Sequence, residues 1–358
     1  MTVHTGDRAA TFPPIRRLTP DDRERCIALA VDRGWSPESA KWTLLLAASE
    51  VFGVDAPDGR GLAGSVTLTR WGPDLAAVGM MLVATRYSRR GLGRALMEHL
   101  LRAAGPDATV TLFATDMGRP LYEQLGFRPV RRNVSFVGRF RPPSRLRAPA
   151  TRLRPAVGRL RPAARLAPAA DHPSPAGLTS PAAPGSHPTR DNSKKHGALK
   201  PDSLAGQPGT VRLATEADLP AIFALDRAAF GADRGRILTR LPGFADHIAV
   251  CQGGPGNGAE AGRITGYAAA WRNGPVTTVI GPLVAPDAET ARQLVTDLAV
   301  RARMPVRLDL DPDRQELPGW LQARGLDPVG QTLVMAHGDA PPRGIPERLF
   351  TPISVALA

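Results

Sequence analysis

Cysteine is nearly absent from this chain of 358 residues, which holds only Cys26 and Cys251. Two thiols cannot build a disulfide framework, and these two lack metal-ligand spacing. Each reads as a small buried hydrophobe. Long apolar runs are missing as well. No stretch approaches the roughly 18 apolar residues of a membrane span, and residues 1–17 lack the apolar centre of a signal peptide. The expectation is a protein of the reducing cytoplasm, with no membrane partner and no metal site.

What is present suffices for packed cores, since 42% of residues are hydrophobic. The length exceeds one ordinary core, so two domains are expected. A net charge of +13 would ordinarily point to nucleic acid or a membrane surface, but it is unevenly spread. Residues 139–209 hold thirteen Lys/Arg against three Asp, leaving only +3 for the remainder. The same segment carries thirteen prolines and units such as Arg152-Leu153-Arg154-Pro155 and Arg159-Leu160-Arg161-Pro162. Proline removes helix donors, and a few leucines bury too little surface to offset chain entropy. The segment is predicted to be a long disordered linker. Contact with nucleic acid is possible only through it, and by charge alone, because it lacks interleaved aromatics.

The flanking parts resemble each other. Ile15-Arg16-Arg17-Leu18 followed by Thr19-Pro20-Asp21-Asp22 reads as a strand and a helix cap, and Val211-Arg212-Leu213-Ala214 before Thr215-Glu216-Ala217-Asp218 repeats it. Leu121-Tyr122-Glu123-Gln124-Leu125-Gly126-Phe127 matches Trp320-Leu321-Gln322-Ala323-Arg324-Gly325-Leu326 at a similar distance downstream. Two copies of one fold are expected, with domains at 1–138 and 210–358. Within the first, Leu62–Arg70 alternates as a strand and Ala76–Ala84 is a continuous apolar run, as in a strand buried on both faces. Leu92, Ala95, Leu96, His99, Leu100 and Ala103 follow helical spacing. Val110–Ala114 is another strand, and Arg119–Leu125 a short helix ended by Gly126. The fold class is α/β with a mixed sheet.

The join from Met80 to Leu96 carries the most chemistry. A buried strand (Met81-Leu82-Val83) runs into a basic turn with two glycines, Arg89-Arg90-Gly91-Leu92-Gly93-Arg94, which opens an amphipathic helix. Free N–H groups at a helix start favour an anion, glycine lets the backbone approach a pyrophosphate, and arginine adds charge. This segment resembles the acetyl-CoA loop of the GNAT acetyltransferases, with Gly91 and Gly93 on the glycine positions. Ser88 stands where the family pattern has Arg or Gln. Gly118–Phe127 is similar to the family's late helix and turn. The chain as a whole resembles a tandem GNAT group whose second copy has lost the cofactor loop, for Thr277–Asp287 has neither the glycine pair nor the basic cluster.

The resemblance implies an N-acetyltransferase that moves acetyl from acetyl-CoA to a primary amine. Met81, Leu82, Val83 and residues Arg89, Arg90, Gly91, Leu92, Gly93 and Arg94 would hold the donor. A backbone N–H near Met81 or Leu82 would polarise the thioester carbonyl, and Tyr122 would protonate the departing thiolate. The family's aspartate is replaced by Phe113. Glu50, Asp74 and Asp116 adjoin predicted strand ends and are candidate bases. Trp35, Trp42 and Trp71 are candidates for an acceptor pocket, with core packing favoured for Trp35 and Trp42 at their i,i+7 spacing. Two other classes remain open: a non-catalytic module that senses acyl-CoA, and a nucleic-acid-associated protein tethered by the linker. The acceptor, a small molecule or a peptide amine, is not readable, nor is the oligomeric state.

Overall fold

A computed structural model describes residues 12–143, 209–254, 262–313, 316–338 and 344–357. Nearly all of the expected linker therefore lies outside the described residues. In chain order the first half contains β1 (Arg16–Arg17), α1 (Arg23–Asp32), α2 (Ser39–Ala48), β2 (Glu50–Asp55), β3 (Leu62–Arg70), β4 (Leu75–Val83), α3 (Leu92–Ala104), β5 (Thr109–Ala114), α4 (Arg119–Gln124) and β6 (Arg128–Gly138). The second half repeats the sequence of elements. It has β7 (Thr210–Leu213), α5 (Leu219–Phe230), α6 (Gly235–Leu238), α7 (Leu241–Phe244), β8 (His247–Gln252), β9 (Ile264–Asn273), β10 (Thr277–Val284), α8 (Ala288–Arg301), β11 (Val306–Leu310), α9 (Leu317–Ala323), β12 (Leu326–His337) and β13 (Leu349–Thr351). The fold is mixed α/β, built from two related copies.

Both copies begin with the same polar device. Arg16 donates to Asp22 at 2.7 and 2.9 Å and to Asp55 at 2.9 and 3.0 Å, and Asp22 accepts the Thr19 N–H at 3.1 Å. In the second copy Arg212 donates twice to Asp218 at 2.7 Å, and Asp218 accepts the Thr215 N–H at 2.7 Å. The aspartate three residues into the turn thus holds an open amide and pairs with the strand arginine, which fixes how the chain leaves the strand. These donations, first from the arginine, hold both carboxyls well below the usual carboxylate range.

The strands form one continuous sheet in the order β1-β2-β3-β4-β5-β12-β6-β11-β10-β9-β8-β7, with β13 beside β10. Its centre shows an exchange. The last strand of the first half, β6, does not return to β5 but lies between β12 and β11. The last long strand of the second half, β12, pairs β5 from Leu333↔Ala114 to His337↔Val110. Burial explains why each strand holds its place. Phe136 of β6 is buried among second-copy residues such as Leu308 and Leu321, and Met335 of β12 is buried in the core containing Leu112 and Phe127. The N-terminal half, residues 1–138, is thus continuous in sequence while its sheet is completed from the other half.

Other contacts also cross between the halves. Trp71 meets Phe230 edge-on at 5.8 Å, a favoured aromatic geometry. Behind Phe230, fully buried Asp226 accepts two bonds from Arg234, at 2.9 and 2.5 Å, and one from the Tyr267 hydroxyl. Cys26 and Cys251 are both buried, and burial pushes the Cys26 thiol up to about 12.

Two measurements follow from this architecture. A fragment of residues 1–143 leaves the β5 edge without a partner and should neither fold cooperatively nor stay monomeric; mixing it with residues 209–358 should restore a single melting transition by circular dichroism. Independent folding of 1–143 would contradict the exchange. Asp22→Asn should cost about 1–3 kcal/mol in urea unfolding at pH 7. The folded pKa is depressed, so this contribution is complete above the unfolded value near 4. It is lost as pH falls towards the folded value, and the gap between variant and wild type should narrow at pH 3.

Candidate active site

Parallel strands β4 and β5 pair only from Leu75↔Thr109 to Val78↔Leu112. Beyond Val78 they diverge, and among the described residues β4 keeps only β3 as its ladder partner. A bulge marks the point of divergence: Thr67 pairs Gly79 and Ser65 pairs Leu82, with Met80 at φ 45 between them. A bulge twists the strand and re-aims its backbone. Here the Ser65 hydroxyl donates to the Met80 carbonyl at 3.1 Å and fixes that turn. The edge formed by Met81, Leu82 and Val83 faces the open V.

At the mouth of the V the basic turn enters α3. Gly91 is the N-cap in a left-handed conformation (φ 78), with open space where a side chain would stand. Among the described residues no side chain caps this 13-residue helix, so its first amides lack that kind of partner. Arg89 adopts a positive φ of 61, unusual for a residue with a Cβ. Arg89 and Arg90 are exposed, Leu92 is buried, and Gly93 packs against the Met81 and Leu121 side chains. Arg94 is turned aside, bonding Gln124 and lying 3.9 Å from Glu98.

Tyr122 of α4 lies across the V. It is buried, and desolvation pushes its phenol up to about 12. Together with Met80, Met81 and Phe113 it lines one side of a cleft of about 350 Å³. The far side is polar and comes from both copies. Glu38 and Lys41 of the first copy face Asn273, Arg307 and Thr332 of the second. Lys41 is buried and ion-paired to Glu38. With its amide nitrogen turned towards Glu38, Asn273 donates to both carboxylate oxygens, at 2.9 and 2.6 Å. Arg307 donates to Asp309 at 3.0 and 3.1 Å and to the Ser135 hydroxyl at 3.2 Å. The wall is completed by Val355 and Ala356, whose carbonyl lies so close to Gly79 that an added Cβ there would be only 2.0 Å away.

The corresponding place in the second copy is filled. Strands β10 and β11 pair only at Thr278↔Val306 and Val279↔Arg307, and the space beyond is entered by β13, which pairs β10 at Leu283 and Val284. Asp287 caps α8 with its own carboxylate, accepting the Thr290 N–H at 2.7 Å. The helix end that could receive an anion is thus already satisfied from within the chain.

Several sequence expectations resolve here. Glu50 is bound to Arg70 at 2.7 Å and faces Arg17 at 3.6 Å, an ion pair at the start of β2 outside the cleft. Asp74 sits in the β3–β4 turn, at the closed end of the V. Asp116 is exposed beside Thr115. Trp42 and Trp71 are core residues, whereas Trp35, expected in the core, is 42% exposed and borders the cleft. Glu38, Lys41, Asn273 and Arg307 were not anticipated. A carboxylate three residues before a lysine reads as a surface pair until a second domain buries it. Among the described residues no helix is long and apolar enough to cross a membrane, and no group of three or more His, Cys, Asp or Glu is placed to hold a metal.

Models of the acetyltransferase (GNAT) domain match residues 38–139 and 222–351. The chain is 22% identical over 243 residues to the uncharacterized N-acetyltransferase YitH of Bacillus subtilis (strain 168), a match covering 68% of this chain and 63% of that protein. Among solved structures it is similar to a putative acetyltransferase from Pyrococcus horikoshii (TM-score 0.66, 16% identity, 99% and 100% of the two chains). It is also similar to a tandem GNAT protein from the clavulanic acid biosynthesis pathway (TM-score 0.53, 15% identity, 92% and 99%). With residues 38–139 and 222–351 both matched by models of that domain, this chain belongs to the GNAT acetyltransferase family.

Proposed function

We propose that the first copy transfers acetyl from acetyl-CoA to a primary amine, and that the second copy supplies a wall of the acceptor cleft. The observation that carries this reading is the convergence of three features on one opening: the diverging β4 edge, the uncapped start of α3, and buried Tyr122. The donor's acidic pyrophosphate suits the free amides at Gly91–Arg94 with Arg89 and Arg90 beside them, and its pantetheine suits the open edge at Met81, Leu82 and Val83. The donor supplies an activated thioester. Fixed N–H dipoles near Met81 or Leu82 stabilise negative charge on its carbonyl oxygen. Tyr122, kept protonated by burial, delivers a proton to the sulfur. A binding-only module would share the first two features but has no use for a buried phenol at the cleft. Contact of the basic segment with nucleic acid concerns residues outside those described.

Acetyl-CoA at about 100 times its dissociation constant should stabilise the protein by roughly 2.7 kcal/mol. Gly93→Asp should abolish that shift in a thermal melt, because its side chain meets Met81 and sets a negative charge beside the anion site. A retained shift would remove these residues from the donor site.

Tyr122→Phe should lower kcat by about 10²–10⁴-fold while leaving acetyl-CoA affinity nearly intact. With the phenol near 12, wild-type activity should show no loss of its acid between pH 7 and 10. An alkaline decline below pH 10 that disappears in the variant would show a phenol ionising much earlier.

A further inference from the structure

The polar end of the cleft contains more cationic donors than its own carboxylates use. Lys41 has three N–H donors, yet among the described residues it has one carboxylate partner, Glu38. Both Glu38 oxygens are also engaged by Asn273 in its turned orientation. In the opposite orientation Asn273 would offer Lys41 only a long contact at 3.4 Å and would set its oxygen against Glu38. Arg307 spends Nε and one terminal nitrogen on Asp309 and Ser135, and its other terminal nitrogen, Nη1, has no partner among the described residues. Asp309 is almost fully buried behind it and does not line the cleft, whereas the guanidinium is 27% exposed and does. Burial pushes the Lys41 ammonium below its ordinary value, Glu38 opposes that, and the nearby charge of Arg307 adds to it. Two neighbouring basic groups with spare donors, in a partly buried cleft, are satisfied by an incoming anion.

The opposite end of the same cleft is apolar, formed by Val78, Met80, Leu112 and Phe113 beside Tyr122. Asn273, Arg307 and Thr332 of the second copy and the Val355–Ala356 segment share the lining, and about 350 Å³ is the volume of a small-molecule site.

From this arrangement we infer that the acceptor is a small amine bearing a carboxylate or phosphate, with the acidic group held by Lys41 and Arg307 and the amine directed to the β4 bulge beside Tyr122. The inference rests on the acetyl transfer proposed above. It makes Lys41 and Arg307 specificity residues, one from each copy.

The test compares matched amines by release of free CoA from acetyl-CoA: β-alanine, O-phosphoethanolamine, ethanolamine, propylamine and a lysine-containing peptide. At least one acid-bearing amine should exceed the neutral amines in kcat/KM by about tenfold or more, as expected for charge-assisted bonds. The carboxylate and phosphate arms distinguish the two anions. In Arg307→Gln and Lys41→Met that preference should fall towards one, through KM more than kcat. Preference for a neutral amine or for the peptide overturns the inference, as does a preference that neither substitution changes. Should Lys41→Met fail to fold, the wild-type ratio and Arg307→Gln decide. If no amine is acetylated, the transfer reading fails separately. Equilibrium binding of the same compounds then judges the anion site: selective binding of an acid-bearing amine, weakened by Arg307→Gln, supports it, and equal binding of all five overturns it.

Discussion

The exchange of β6 and β12 is the constraint on which the rest of the molecule depends. Neither half contains the strand that closes its own sheet. Strand β5 obtains its outer partner from the second copy, and β11 obtains its partner from the first. The exchange also decides what stands around the cleft. Thr332 is on the exchanged strand itself, and Arg307 is on β11, held in register with Val137 of β6. A first copy with its own final strand would present different residues to an acceptor. The pairing is therefore both the main structural seam and the reason Arg307 and Thr332 stand at the cleft.

Within this frame, small local differences decide which of two similar openings is usable. At one helix start stands Gly91, with a positive φ and no side chain to satisfy the amides. At the other stands Asp287, which satisfies one itself. One V is open beyond Val78, and the other receives β13. A helix end and an unpaired strand edge both demand partners. The second copy meets these demands internally, and the first leaves them open.

The features legible in the sequence were those written in consecutive residues. The apolar run before Ala84, the glycine pair at 91 and 93, the amphipathic period of α3 and the repeated Thr-x-x-Asp caps each depend on local chemistry. What escaped depends on residues far apart. Strands β6 and β12 have similar length and pattern, so nothing in either tells which sheet it enters. Glu38 and Lys41 acquire meaning only when Asn273, more than 200 positions away, covers them. Trp35, a pocket candidate that lines the cleft, reads as core only if helical spacing runs across the start of α2. The helix begins at Ser39, so Trp35 and Trp42 do not share a face. Glu50 does stand at a strand end, but the arginine that pairs with it, Arg70, comes from the neighbouring strand, where sequence proximity gives no sign of it.

The exchange also has a consequence for how the chain is made. Strand β5 ends at Ala114, and the strand that covers its edge is not synthesised until residues 326–337. At about 5–20 residues per second, translation of the intervening 200 or so residues takes on the order of 10–40 s. Until then the final partner of the β5 edge, and the Met335 that packs into the core with Leu112 and Phe127, are missing from the chain. Such an edge invites pairing with other nascent chains. The first copy is thus the earliest to be made and among the last parts to be finished.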